Sequence, residues 1–307
     1  MRILGFGDNI IDRFVDRGLI YPGGNCVNVA VFARKLGADA AYLGVFGSDS
    51  YGAMIRGALT AEGIDFTRSE VRAGGSGLSE LTVAEGERVF GGWNGGGVTV
   101  SQPLVLDEGL VAYASGFDVV HSSVYSGSEA ELGKLRAGDA LVSYDFSSEA
   151  AYRTPEYLDR VCPFVDLALI SCSHLTEEAT RTLLSELVAR GAGLALATRG
   201  TADALVFDGD AFQSAPAELI ADSSLIVDTM GCGDAFVAAF MVSLLETGWG
   251  RATAPTERTL QTALAAGSAF AARQCLAEGA FGHGQRDPAA NMAAAASAPT
   301  LSRLDTM

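Results

Sequence analysis

Along most of the chain, short apolar runs alternate with longer segments in which apolar positions recur every three or four residues. The short runs predict β-strands at residues 2–7, 40–45, 118–122, 141–146, 166–170 and 194–198. The longer segments predict helices. In residues 28–36, Val29, Phe32, Ala33 and Leu36 share one face, and Gly37 ends the pattern. A second helix is expected at residues 50–62. A third, at 177–190, has Thr176 as its N-cap, acidic residues in its first turn, and a buried stripe of Leu183, Leu184, Leu187 and Val188. This alternation is that of an α/β protein with a mainly parallel sheet.

One region breaks the rhythm. Residues 78–84 and 88–92 read as two strands separated by the polar turn Glu85-Gly86-Glu87, and Gly95-Gly96-Gly97 forms the exit. The hairpin, with residues 13–21, forms either a lid over the rim of the main sheet or an ordinary antiparallel extension of it. The expected division is therefore an α/β body of residues 1–12, 22–76 and 97–284, a β-lid of 13–21 and 77–96, and a flexible tail of 285–307.

Composition narrows the function classes. The 307 residues are 49% hydrophobic and 19% charged, with a net charge of −16. Such an acidic chain is ill suited to nucleic acid, which is bound by clustered Lys and Arg. A site for an anionic ligand must instead concentrate positive potential locally, at helix ends or backbone amides. The five cysteines are scattered and lack C-x-x-C spacing, which argues against a disulfide framework or zinc site and points to a reducing cytoplasm. The N-terminus reaches Asp8 too soon for a signal peptide, and no stretch has the length of a membrane span.

Four segments carry candidate chemistry. In Asp228-Thr229-Met230-Gly231-Cys232-Gly233-Asp234, two glycines flank the start of a strongly apolar helix. Exposed amides and the positive end of the helix dipole would make an anion hole there, and Asp234 in the first turn could either cap the helix or accept a proton from a hydroxyl. In Gly23-Gly24-Asn25-Cys26-Val27-Asn28, the two Asn residues could read sugar hydroxyls or serve as N-caps. Asp12 closes Gly7-Asp8-Asn9-Ile10-Ile11-Asp12 beyond the first strand, where open α/β sheets bind ligands; it is a substrate acceptor or a loop acid. In Thr198-Arg199-Gly200, a strand ends in a Gly turn that could hold nucleotide phosphates, with Arg199 to neutralise them. His121, His174 and His283 share no metal-ligand spacing and take structural or surface roles. Nucleophile-elbow and Walker A patterns are both missing, which argues against an α/β-hydrolase or a P-loop kinase.

Taken in order, Gly7…Asp12, Gly23-Gly24-Asn25…Asn28, Thr198-Arg199-Gly200, Asp228…Asp234 and Gly279-Ala280 resemble the ribokinase/PfkB family of carbohydrate kinases. The similarity spans all but the last twenty or so residues. Within the family, Gly23–Val31, Arg88-Val89-Phe90-Gly91, Tyr144-Asp145-Phe146-Ser147 and Arg190–Gly193 look most like the branch that phosphorylates fructoselysine at its 6-position.

The resemblance implies a ribokinase-like three-layer α/β/α sandwich with a small β-sheet lid, and transfer of the ATP γ-phosphate to a sugar hydroxyl. It implies Asp234 as base, an anion hole of Gly231, Cys232 and Gly233, and sugar contacts from Asp12, Gly24, Asn25, Asn28, Arg88, Phe90 and Trp93. Thr198, Arg199, Gly200 and Thr229 would face ATP, and a loop near Asp228 and Gly279 would take a monovalent cation such as K+. Two departures stand out. Ser171-Cys172-Ser173-His174 replaces the family's Asn-x-x-Glu, linked to Mg2+, so Glu177 or water would complete the metal shell. Cys232 stands where Ala is commoner, placing an oxidation-sensitive thiol at the helix end. Ribokinase, fructokinase and nucleoside-kinase specificities, or a sugar-binding regulator without catalysis, remain the alternatives. The expected partners are a small sugar and ATP, with no nucleic acid or membrane, and the lid's exposed edges could pair in a homodimer.

Overall fold

The computed structural model of the chain describes residues 1–84 and 87–288, and for residues 83, 84 and 87–90 the backbone alone. The strands are β1 (Arg2–Gly7), β2 (Ile10–Phe14), β3 (Leu19–Gly23), β4 (Asp39–Gly47), β5 (Glu70–Arg72), β6 (Gly77–Ala84) and β7 (Glu87–Trp93), then β8 (Val119–Ser123), β9 (Leu141–Asp145), β10 (Leu167–Ser171), β11 (Leu194–Thr198), β12 (Ala204–Phe207), β13 (Phe212–Ala215) and β14 (Gln285–Arg286). The helices are α1 (Asn25–Lys35), α2 (Ser50–Ala61), α3 (Gly97–Ser101), α4 (Glu108–Ala114), α5 (Leu132–Ala137), α6 (Pro155–Val161), α7 (Glu177–Ala189), α8 (Cys232–Glu246) and α9 (Glu257–Gln274).

Among the described residues, the main sheet has nine strands in the order β13-β12-β11-β10-β9-β8-β1-β4-β5. It is parallel from β5 to β11, and β12 and β13 close one edge antiparallel. The six strands expected from the sequence are β1, β4, β8, β9, β10 and β11. Their near-continuous apolar runs have a simple cause, because alternate residues enter separate cores on the two faces. Ile3, Leu167, Leu169, Leu194 and Leu196 join the core built with α1, α2, α8 and α9. Leu4, Ala168, Ile170, Ala195 and Ala197 join the core under α4 to α7. Successive strand residues point to opposite faces, so a strand covered by helices on both sides must be apolar throughout. The result is the ribokinase-like three-layer arrangement.

A second sheet runs β14-β3-β2-β6-β7. It contains the expected hairpin β6–β7, but the insertion from the N-terminal part is wider than residues 13–21. β2 and β3 span Ile10–Phe14 and Leu19–Gly23, because β2 pairs with β6 in parallel and with β3 antiparallel over its full length. Ile11, Phe14 and Ile20 are thereby buried. The expected tail also begins later than residue 285. Gln285 and Arg286 pair with β3, and the buried Asp287 carboxylate lies 3.0 Å from Arg13 Nε. Residues 289–307 fall outside the described residues. No described helix is long and apolar enough to cross a membrane.

The closest approach in the core fixes where α1 starts. A Cβ added to Gly5 in β1 would stand 2.0 Å from the Cys26 carbonyl oxygen in α1. Only a bare backbone lets the first turn of α1 lie this close to the sheet. Gly5→Ala should therefore lower the midpoint of thermal unfolding by several degrees, a loss of roughly 2 kcal/mol or more. An unchanged midpoint would show that α1 can recede without strain.

Candidate active site

The C-terminal ends of β1, β8, β9 and β10 and the N-termini of α1 and α8 converge on a cavity of about 710 Å³, roofed by residues of the second sheet. This is where a parallel sheet offers a ligand site, beyond the carboxyl ends of its strands.

Helix α8 supplies the chemistry at the cavity floor. Its N-cap is Gly231, at φ 73°, and a Cβ there would meet the Ala280 methyl at 2.9 Å. Both the left-handed backbone and the space demand glycine. No side chain caps this helix. Among the described residues, the amides of Gly233 and Asp234 have no backbone acceptor, so the first turn offers unsatisfied donors and the positive dipole end. Asp234 is therefore not the cap. It lies buried in the first turn, lines the cavity, and accepts a hydrogen bond from Asn28 Nδ2 at 2.8 Å. Burial, reinforced by the Asp145 charge, holds its carboxyl well above the usual range, while the Asn28 amide pulls the other way. A carboxylate so placed is a stronger base than a solvated one.

Helix α1 begins earlier than its periodicity suggested. Its N-cap is Gly24, at φ 109°, so neither Asn25 nor Asn28 serves as a cap. Asp8, absent from the sequence-derived candidates, takes that role from outside the helix. One oxygen accepts the Asn25 amide at 2.6 Å, and the other receives Ser123 Oγ, Ser126 Oγ and Cys26 Sγ at 2.8–2.9 Å. Freed from capping, the two Asn side chains turn to the cavity. Asn25 Nδ2 donates to Asp145 Oδ2 at 2.7 Å, and Asn28 leaves its buried Oδ1 without a partner. The buried Oδ1 of Asn9, also on the cavity wall, is likewise unpartnered. Unsatisfied buried acceptors are costly, and here both belong to residues of the cavity wall.

Asp145 is the second residue the sequence-derived candidates lacked. It ends β9, and burial pushes its carboxyl up to about 6 against the bonds from Ser147 N and Asn25. An acid at the carboxyl end of a parallel strand was the available signal. Beyond it, Ser147 also lines the cavity, as do Tyr125 and Glu149 on loops that no motif marks.

Of the predicted site residues, Asp12, Gly24, Asn25, Asn28, Trp93, Gly231 and Asp234 line this cavity. The side chains of Arg88 and Phe90 lie outside the described residues. Cys232, Gly233, Thr198, Arg199, Gly200 and Thr229 are not among its walls. Arg199 is held by Glu177 at 3.7 Å and by the Asp203 carbonyl at 3.3 Å, and Glu177 also pairs with Arg181. Asp228 accepts the amides of Met230 and Gly279 at 3.0 and 3.1 Å, which brings the two expected cation-loop residues together. Among the described residues, no group of three or more His, Cys, Asp or Glu is placed to hold a metal. Buried His121 is kept neutral, its ring pushed down to about 3 by desolvation, and it bonds Ser143 at 2.9 Å.

The Asp145 shift has a consequence for stability. Between the ordinary carboxylate range and about 6, the folded protein keeps a proton that the unfolded chain has released. Wild-type stability from this group is therefore lost as pH rises through that window. Asp145→Asn removes the titration, and its lost hydrogen bond costs the same at every pH. The variant should gain on wild type by roughly 2 kcal/mol between pH 4 and pH 7.5 in the ligand-free protein. A pH-independent difference in denaturant midpoints would contradict the shift.

Known proteins resemble the chain along most of its length. The profile of the pfkB family carbohydrate kinases matches residues 15–282. The chain is 34% identical to fructosamine kinase FrlD of Bacillus subtilis (strain 168), over 92% of this chain and 94% of that protein. It is 30% identical to fructoselysine 6-kinase of Escherichia coli (strain K12), over 90% and 97%. Among solved structures, the ribokinase of Giardia lamblia superposes with a TM-score of 0.74 at 16% identity, covering 96% of this chain and 99% of that one. A fructokinase of Xylella fastidiosa with bound ATP gives 0.70 at 19%, covering 91% and 94%. The chain belongs to the pfkB family of carbohydrate kinases.

Proposed function

We propose that this ATP-dependent sugar kinase phosphorylates the 6-hydroxyl of fructoselysine or a closely related sugar-amine, with Asp234 as the catalytic base. The observation that carries the chemistry is the buried Asp234 carboxylate in the first turn of α8, facing the cavity beside uncapped amides. Support for the substrate comes from the two relatives whose names specify fructosamine and fructoselysine. The cavity wall adds to it: among its described residues are Asp8, Asp12, Asp145, Glu149 and Asp234, and no Lys, Arg or His. Such a wall favours a sugar that carries positive charge.

In the proposed reaction, Asp234 takes the proton of the sugar hydroxyl as its oxygen attacks the γ-phosphorus. The bond from that phosphorus to the β,γ-bridging oxygen breaks, and ADP leaves with the electron pair. The amides at the start of α8 stabilise charge spreading over the transferring group. Asn28 orients Asp234 through its amide. A Mg2+ ion in a kinase site is held by one or two carboxylates together with the nucleotide phosphates and water, and when bound it would offset charge on the transferring group. Trp93 and the second sheet cover the sugar and limit water, whose phosphorylation would waste ATP.

Asp234→Asn keeps the shape and removes the base. It should lower kcat by about a thousandfold or more while the dissociation constant for sugar changes less than about fivefold. The check is a coupled ADP-release assay with fructoselysine, glucoselysine, fructose and ribose, beside calorimetric sugar binding. Near wild-type turnover in the variant would overturn the assignment of the base, and preference for ribose or fructose would overturn the substrate.

A further inference from the structure

The mouth of the cavity holds a group that phosphoryl transfer does not use. Ser147 follows β9 at φ 60°, a left-handed conformation uncommon for a residue with a side chain. Its Oγ lies 2.6 Å from the Tyr125 hydroxyl, and that hydroxyl donates to Glu149 Oε1 at 2.6 Å. Tyr125 also meets Trp93 and Tyr152 edge to face, with ring centroids 6.1 and 6.0 Å apart. Trp93 is half exposed, and its ring, Tyr125 and Glu149 all face the cavity. Strained backbone is maintained where a surrounding network demands it, and here the network fixes one carboxylate and two aromatic faces at the entrance.

We propose that Glu149, Tyr125 and Trp93 form a subsite for an ammonium group, so that the enzyme selects a sugar bearing a protonated amine over its neutral counterpart. A carboxylate beside aromatic rings attracts a cation twice, by charge and by the negative ring faces. The Glu149 oxygen not bonded to Tyr125 supplies the hydrogen-bond acceptor that an N–H needs. Of the other carboxylates, Asp8 is consumed by four donors, Asp145 by Asn25 and Ser147, and Asp234 by Asn28, while Asp12 is buried in β2. Glu149 is exposed at the entrance and Asp234 is buried at the floor. The amine is thus read at the end of the sugar away from the reacting hydroxyl.

This subsite rests on the sugar-amine reading above, and the test separates the two. Dissociation constants are measured for fructose and 1-amino-1-deoxyfructose, which differ by a hydroxyl against an ammonium at one carbon. Wild type should bind the amine about tenfold more tightly, Glu149→Gln should lose most of that preference, and fructose binding should change less than twofold. Added salt should weaken amine binding in wild type and have little effect in the variant. Equal affinities in wild type, or an undiminished preference in Glu149→Gln, overturn the subsite. Failure to turn over fructoselysine despite a Glu149-dependent amine preference overturns only the substrate reading.

A separate observation concerns Cys232, the first residue of α8. Its Sγ lies 3.3 Å from Sγ of Cys275, the C-cap of α9, and both thiols lean on the Ala271 carbonyl. We infer that this pair is a site of oxidation by hydroperoxides. The S–S bond forms as the O–O bond breaks, and the two thiol protons end on the alcohol and water released. Closing the bond to about 2.05 Å must draw Cys232 toward α9 and disturb the amides beside Gly231. Hydrogen peroxide should slow turnover at least fivefold, with a Cys232–Cys275 peptide seen by non-reducing mass spectrometry and activity restored by dithiothreitol. Cys275→Ser, outside the proposed machinery, should keep its basal rate and resist inactivation. Equal, irreversible inactivation of Cys275→Ser, or wild-type resistance without the cross-linked peptide, would overturn the inference.

Discussion

Two helix N-termini meet over the end of the parallel sheet, joined by the 2.8 Å bond from Asn28 in α1 to Asp234 in α8. Each helix starts at a glycine in a left-handed or otherwise unusual conformation, and neither is capped by its own side chains. That leaves two positive helix ends beside a cavity whose charged side chains, among the described residues, are acidic. The two features need each other. Buried carboxylates close together repel, and helix dipoles with amide donors offset part of that cost. The chain carries a large negative charge, and in the proposed reaction the backbone at the start of α8 is what meets the transferring phosphate.

The remainder of the fold holds this meeting point in place. Gly5 lets α1 lie against β1, and Asp8 ties the start of α1 to the loop after β8. Asp145 ties it to β9 through Asn25. β2 and β3 join the second sheet on the stretch of chain between β1 and α1, so cavity-lining residues before and after them share one short path. Asp287 pairs with Arg13 and fastens β14 to the same sheet, so the far end of the described chain also supports the cover over the cavity.

Much of this was legible in the sequence, for physical reasons. Strands covered on both faces are apolar throughout, so β1, β4 and β8 to β11 announced themselves. Gly231 of the α8 segment stood out because the backbone there admits nothing larger, as its approach to Ala280 shows. Helix starts were less visible. Capping rules point to Asn, but in α1 the cap is supplied across space by Asp8, which no local pattern reveals. The extent of β2 and β14 was hidden likewise, because their pairing partners lie far along the chain. Glu149 and Tyr125 lie on loops without a motif. Their role emerges only when β8 and β9 bring those loops together.

In the proposed reaction the α8 carboxylate faces the hydroxyl that receives the phosphoryl group. A crystal structure of the enzyme with fructoselysine and a non-hydrolysable ATP analogue tests it most directly. The sugar's 6-oxygen should lie within about 3 Å of Asp234, with the γ-phosphate against the amides at the start of α8. A sugar bound with that oxygen turned away from Asp234, or phosphates seated elsewhere, would contradict it.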